Sequence, residues 1–151
     1  MTINITSASV ISEIRQKSHF ETQNIQDAAT REHTRAGLEK EDEVGRCLVV
    51  ADAQLRALLT RYLVTTPSDT VSAGISVPAN LIYVLALAER RDANKSAQLP
   101  QLMRDYLVST SLAKYYATVS ATDLASKRGN EAAAMGTEII RLIFHKNPPI
   151  L

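Results

Sequence analysis

One four-residue segment has the residue types and spacing of a catalytic pair. Ser111-Leu112-Ala113-Lys114 fits S-x-x-K, in which the serine can act as a nucleophile and the lysine three residues later can activate it. The chain contains neither the S-D-N nor the K-T-G segment that accompanies the pair in such enzymes. We therefore predict that Ser111 and Lys114 lie on the solvent side of a helix and do no chemistry.

Residues that usually form metal sites or reactive thiolates are few. Cys47 is the single cysteine, which excludes a disulfide within the chain and argues against a zinc site built on thiolates. It falls on the apolar side of a helical pattern, so we expect a buried small hydrophobe. His19, His33 and His145 lack the H-E-x-x-H spacing of a helical metal site. No metal, no cofactor and no catalytic residue is predicted.

The sequence also lacks the motifs of other kinds of enzyme site. The five glycines form no G-x-G-x-x-G or Walker-type loop that could hold phosphate. No pair of carboxylates lies in an apolar stretch that would raise one pKa for general-acid catalysis. The chain is predicted not to be an enzyme. The alternative is an enzyme whose active site is assembled from residues far apart in the sequence.

Length and composition limit the class of protein. The chain has 151 residues, 45% of them hydrophobic and 22% charged, which suits one globular domain. A net charge of +1 disfavours a dedicated nucleic-acid binder. The longest nearly apolar run, residues 81–88, is far shorter than the roughly 20 residues that span a bilayer. The first residues do not read as a signal peptide, so we expect an intracellular protein.

Apolar periodicity predicts an all-α fold, a bundle of four to five helices with a short β-like excursion near residues 65–77 and extended termini. The helices are expected after Ser7 or Ser9, over about 38–64, over 79–91, from a cap at Ser96 to a break near Ser120, and from there to 146. Pro100 is expected in the first turn of the fourth of these helices. The helix over 79–91 is apolar on most sides, so it is predicted to be central. Gly37 is predicted to end the preceding polar segment in a left-handed conformation. Residues 1–6 form an arm, 7–146 a single helical domain and 147–151 a tail.

The order of these elements resembles the small helical head-to-tail connector (adaptor) proteins of tailed bacteriophages. The shared features are a long helix ending in Leu58-Leu59-Thr60-Arg61-Tyr62-Leu63, the excursion at 65–77, an apolar helix opened by Pro78, the helix containing residues 102–116 and a last helix stopped by two prolines. The resemblance implies a non-enzymatic structural component of a phage or prophage particle that acts by oligomeric docking. Its partners would be copies of itself, in a ring or another homo-oligomer, and neighbouring virion proteins, in the virion or the host bacterial cytoplasm.

Apolar residues in extended segments are the candidates for protein contacts. Alternating or terminal apolar residues could pair with a strand of a neighbouring chain or pack against its surface. These residues are Ile3, Ile5, Val71, Ile75, Pro148, Pro149, Ile150 and Leu151. The alternative for each is local, an arm folded on its own domain or a frayed terminus. The alternative function is a cytosolic helical protein–protein interaction or regulatory module.

Overall fold

The computed structural model describes residues 1–64, 77–86 and 97–144. These residues are mostly helical, with one small sheet, so the predicted all-α class is confirmed. In chain order the elements are β1 (Thr2–Thr6), α1 (Ser7–Thr22), α2 (Ala28–Thr34), a 3₁₀ turn (Leu38–Lys40), α3 (Glu41–Leu58), β2 (Asn80–Val84), α4 (Leu99–Thr118) and α5 (Thr122–Phe144). The predicted excursion at residues 65–77 lies outside the described residues except for Val77, which packs against the core.

The first helix follows its apolar pattern. Val10, Ile11 and Ile14 are buried, and α1 continues without a break to Thr22. The helix begins one residue after Thr6, and the Ser7 hydroxyl donates a hydrogen bond to the backbone carbonyl of Pro78. Ser7 therefore ties the start of α1 to the segment that leads into β2.

Gly37 has extended backbone rather than the predicted left-handed conformation, with φ −88° and ψ −179°. The preceding helix, α2, ends at Thr34 and is followed by Arg35 in an extended conformation. Gly37 instead precedes the 3₁₀ turn, so α2 stops without a glycine cap.

The predicted helix over residues 79–91 is wrong where the structure describes it. Residues 80–84 form β2, which pairs antiparallel with β1, Ile3 opposite Tyr83 and Ile5 opposite Leu81. Leu81 and Tyr83 are buried while their neighbours in β2 are not, the period-2 pattern of a strand. A short apolar run fits either a helix or a strand. Here the hydrogen bonds to β1 stabilise the strand.

The central element is α4 and not the segment around residue 80. Helix α4 packs against α5, α3, α1 and β1, and all six residues from Leu107 to Leu112 are buried. Pro100 lies in its first turn, as predicted, where the missing N–H costs no helical hydrogen bond. Since three helices surround α4, what lies on its remaining side decides which surface the molecule offers.

Candidate docking groove

The S-x-x-K pair does not form a nucleophilic site. Ser111 is completely buried, contrary to the prediction, and its hydroxyl has no hydrogen-bond partner among the described residues. Lys114 is exposed, as predicted. A serine nucleophile needs a base within hydrogen-bond reach, so this pair has no catalytic geometry.

Cys47 is half-buried and packs against the edge of the core. Burial raises the pKa of its thiol, Glu43 adds to that rise, and Lys114 partly opposes it. A thiol with a raised pKa stays protonated and is a poor nucleophile at neutral pH. The thiol borders a small cavity of about 450 Å³ that Arg46 and Lys114 also line.

The two histidines that the structure describes belong to no group that could hold a metal ion. His19 and His33 are exposed, and His145 lies outside the described residues. Within the described parts of the chain, no three His, Cys, Asp or Glu side chains come together in a way that could hold a metal ion. No helix in those parts has the length and apolar character needed to cross a membrane.

A buried ionic cluster, which no sequence pattern predicts, joins α3 to β2. The Asp52 carboxylate is fully buried, accepts a hydrogen bond from the Tyr83 hydroxyl and pairs with Arg56 Nε at 3.2 Å. Arg56 also donates to the backbone carbonyl of Ile82 at 3.0 Å, and its guanidinium lies 4.5 Å from the centre of the Tyr83 ring. Burial, and then the charge of Asp52, raise the pKa of Tyr83. The cluster ties α3 to β2, and Arg56 Nη1 is buried in it without a hydrogen-bond partner among the described residues.

A second ionic cluster explains why an arginine interrupts the apolar pattern of α5. Arg128 Nε donates to the Glu21 carboxylate of α1 at 2.8 Å, and its Nη1 donates to Glu131 at 2.9 Å. Burial lowers the pKa of Arg128, but the hydrogen bond and charge of Glu21 raise it by more, so that the guanidinium remains charged. Arg128 thus holds α5 against α1.

An open groove of about 770 Å³ runs along the remaining side of α4, between α3 and α5. We call it the α3–α5 groove. Its floor is formed by α4 residues Tyr106, Thr110, Ala113, Lys114 and Ala117. One wall is Gln54 and Leu58 of α3. The opposite wall is residues 125–140 of α5, where glycine, alanine, serine and threonine predominate.

Two polar groups on the floor of the α3–α5 groove lack protein partners. Thr110 is only 4% exposed, yet its hydroxyl has no hydrogen-bond partner among the described residues. Lys114 is the only charged residue in the lining, and its ammonium has no ion pair in the part of the chain that is described. A buried hydroxyl left without a partner costs free energy, whereas the exposed Lys114 ammonium is accessible to an acidic group.

The two described residues that were predicted to contact other proteins, Ile3 and Ile5, do not line this groove. They are 3% and 5% exposed and face the core from β1, which favours the alternative of an arm folded on its own domain. Their role as contacts for a neighbour stays a prediction. Val71, Ile75, Pro148, Pro149, Ile150 and Leu151 lie outside the described residues.

Comparisons of the chain with known proteins found no relative. No protein-family model matches the chain, no curated protein matches it, and no solved structure matches it. Function is therefore inferred from the groove and from the order of the elements.

Proposed function

We propose that this chain is a non-enzymatic docking protein in which the α3–α5 groove receives a helix of another polypeptide. The groove is the observation that carries the proposal. An elongated apolar groove between helices is a common site for an amphipathic helix. Small side chains on its α5 wall allow a helix to approach closely, because the distance between helix axes depends on the side chains at the contact.

The proposed setting is a phage or prophage particle, where the chain would act in the head–tail connector, the neck or a tail-associated assembly. The order of α3, α4 and α5 supports this setting. The resemblance included an apolar helix opened by Pro78, but the structure has a strand at Asn80–Val84. The two orders therefore differ at this element. The alternative, a cytosolic interaction or regulatory module, gains support from the same strand. Both settings use the groove in the same way.

The test compares two substitutions of neighbouring alanines on α5. Ala133 lines the groove and is exposed, whereas Ala134 is exposed on the outer side of the helix and does not line it. We expect Ala133→Trp to fill the groove and to weaken binding to a defined partner at least tenfold. Ala134→Trp should leave that binding unchanged. The partners to use are purified portal-like particles and the products of neighbouring genes, with binding followed by sedimentation.

Two results would separate the settings or reject the function. Binding to portal or tail components that is lost in Ala133→Trp supports the phage setting, and binding only to a non-virion protein supports the alternative. If Ala133→Trp binds every such partner as tightly as the unmodified chain, the groove is not the docking site.

A further inference from the structure

Two adjoining cavities share one cation. The α3–α5 groove and the smaller cavity beside Cys47 are both lined by Lys114 and Ala117 of α4, so they meet at this turn of the helix. The exposed Arg46 of α3 also lines the smaller cavity. No acidic residue is among the described residues that line either cavity. The charged side chains at the junction of the two cavities are therefore all positive.

Neither cation at the junction has an ion pair within the described residues, where the ion pairs join other side chains. Asp42 and Glu43 precede Arg46 by one turn of α3, but both are exposed and line neither cavity. Lys114 has no acidic residue within four positions on α4. An anionic group at the junction would thus meet a cation that the chain itself does not neutralise.

The other end of the groove closes on apolar side chains. A Cβ at Gly136 would lie 3.4 Å from the side chains of both Leu58 and Tyr106, so the two walls and the floor are in contact there. An α-helix with its side chains is about 10 to 12 Å across. A helix would therefore cover this end of the groove, whereas a slender apolar chain has the width to lie within it.

The size and lining of the groove suit a small ligand. Its volume of about 770 Å³ falls within the roughly 300 to 1,000 Å³ of small-molecule sites, which are mainly apolar with a few polar groups that fix orientation. Lys114 is such a group here. An uncharged ligand that covered its ammonium would remove water from the charge without replacing it, which is unfavourable. A carboxylate would instead accept a charge-assisted hydrogen bond.

We propose that the α3–α5 groove binds the ionised form of a long-chain carboxylic acid, a molecule with one carboxylate and an unbranched apolar chain. The carboxylate pairs with Lys114, Arg46 adds a second positive charge at the junction, and the chain lies along the floor toward Tyr106 and Leu58. This inference goes beyond the proposed docking function and does not depend on it. A docked helix and the bound acid would cover the same floor, so each would exclude the other.

The first experiment titrates the unmodified chain with decanoate in a calorimeter, below the concentration at which decanoate forms micelles. Acetate has the same head group without the chain, and decyltrimethylammonium has the same chain with the opposite charge. We expect saturable binding of decanoate, no binding of acetate, and binding of decyltrimethylammonium that is weaker by about tenfold or more. No saturable binding of decanoate, or equal affinity for the two decyl compounds, would overturn the proposal.

The second experiment removes the charge of Lys114 and keeps an apolar side chain, with Lys114→Met. Hydrogen bonds to charged groups contribute about 1.5 to 3 kcal/mol, so decanoate should bind about tenfold more weakly or worse. Lys127→Met is the matched control, because Lys127 is exposed on α5 and lines neither cavity. Its affinity for decanoate should not change. An equal affinity for decanoate in the two variants would show that Lys114 does not hold the carboxylate.

The third experiment locates the apolar chain with Ala133→Trp, which fills the groove, and its control Ala134→Trp. Decanoate binding should be lost in the first variant and kept in the second, with circular dichroism showing that both remain folded. Decanoate binding that persists in Ala133→Trp places the chain elsewhere and overturns the proposal. If Ala133→Trp does not fold, Lys114→Met still decides.

The outcomes also separate this inference from the docking function. An unmodified chain that binds no decanoate, but whose binding to a protein partner is lost in Ala133→Trp, rejects the ligand and keeps the docking function. A chain that binds decanoate through Lys114 and binds protein partners equally well after Ala133→Trp keeps the ligand and rejects the docking function.

Discussion

Helix α3 borders two regions that differ in how their buried polar groups are satisfied. Toward β2, the Asp52 carboxylate accepts from Tyr83 and pairs with Arg56, so that the charge is compensated within the chain. Toward α5, the side chains are small and mostly uncharged, and the Thr110 hydroxyl has no partner in the described residues. The first, the closed region, is filled by its own side chains, although Arg56 Nη1 is buried without a hydrogen-bond partner among the described residues. The second, the open region, has unfilled space between α4 and α5, where another molecule has room to bind.

The largest effect on stability is expected in the closed region, from Asp52→Ala. The substitution leaves the Arg56 guanidinium, whose side chain is 15% exposed, beside β2 without its carboxylate. Removing one partner of a buried ion pair typically costs about 3 to 5 kcal/mol. We expect a loss of that size in the free energy of unfolding, measured by urea titration at neutral pH.

Asp42→Ala is the matched control for Asp52→Ala. Asp42 lies on the same helix but is exposed, and surface substitutions usually change stability by less than about 0.5 kcal/mol. Equal losses in the two variants would show that the Asp52 cluster does not hold α3 to β2.

Alkaline pH should also lower the stability of the chain, through Tyr83 in the closed region and through Tyr116 of α4. Burial raises the pKa of Tyr83, and burial raises the pKa of Tyr116 to about 12. A raised pKa means that the folded chain favours the neutral phenol, so its contribution to stability is complete below pH 10 and is lost as pH rises from 10 toward 12. Urea titrations at a series of pH values, with phenolate absorbance recorded, should show the free energy of unfolding falling through that range.

Tyr83→Phe sharpens this test. The variant keeps the ring over Arg56 but cannot ionise, so its stability should fall less steeply above pH 10 than that of the unmodified chain. An identical slope would show that folding does not raise the pKa of Tyr83.

Most of the fold could be predicted from apolar periodicity, because α1, α3, α4 and α5 are long enough to repeat it several times. The strand β2 could not, since its five residues fit a helix or a strand until β1, more than seventy residues earlier, is paired with it. The same long-range pairing buries Ile3 and Ile5 within the chain. Their alternation predicts an extended segment, but nothing in the local sequence shows which part of the chain covers it.

The candidate groove was beyond sequence reasoning for a different reason. It exists only where α3, α4 and α5 meet, and none of these helices defines it alone. A signal was nevertheless present in α5, where Gly129, Ala133 and Thr137 recur at steps of four residues with no charge among them. Helix α5 therefore has two faces. One face packs on the core, and the other lines the groove.

The smallest effect is expected in the open region, from replacing its glycines with alanine. In a helix interior, alanine is more favourable than glycine by about 1 kcal/mol. Gly129→Ala should gain close to that amount in the free energy of unfolding of the isolated chain, because the added Cβ meets nothing within 4 Å. Gly136→Ala should gain less, since its Cβ must fit at 3.4 Å from Leu58 and Tyr106. Urea titration of both variants against the unmodified chain measures the two changes. A loss of stability in Gly129→Ala would mean that the chain itself fills the space beside this glycine, and the contrast between the closed and open sides of α3 would then fail at the residue where it is sharpest.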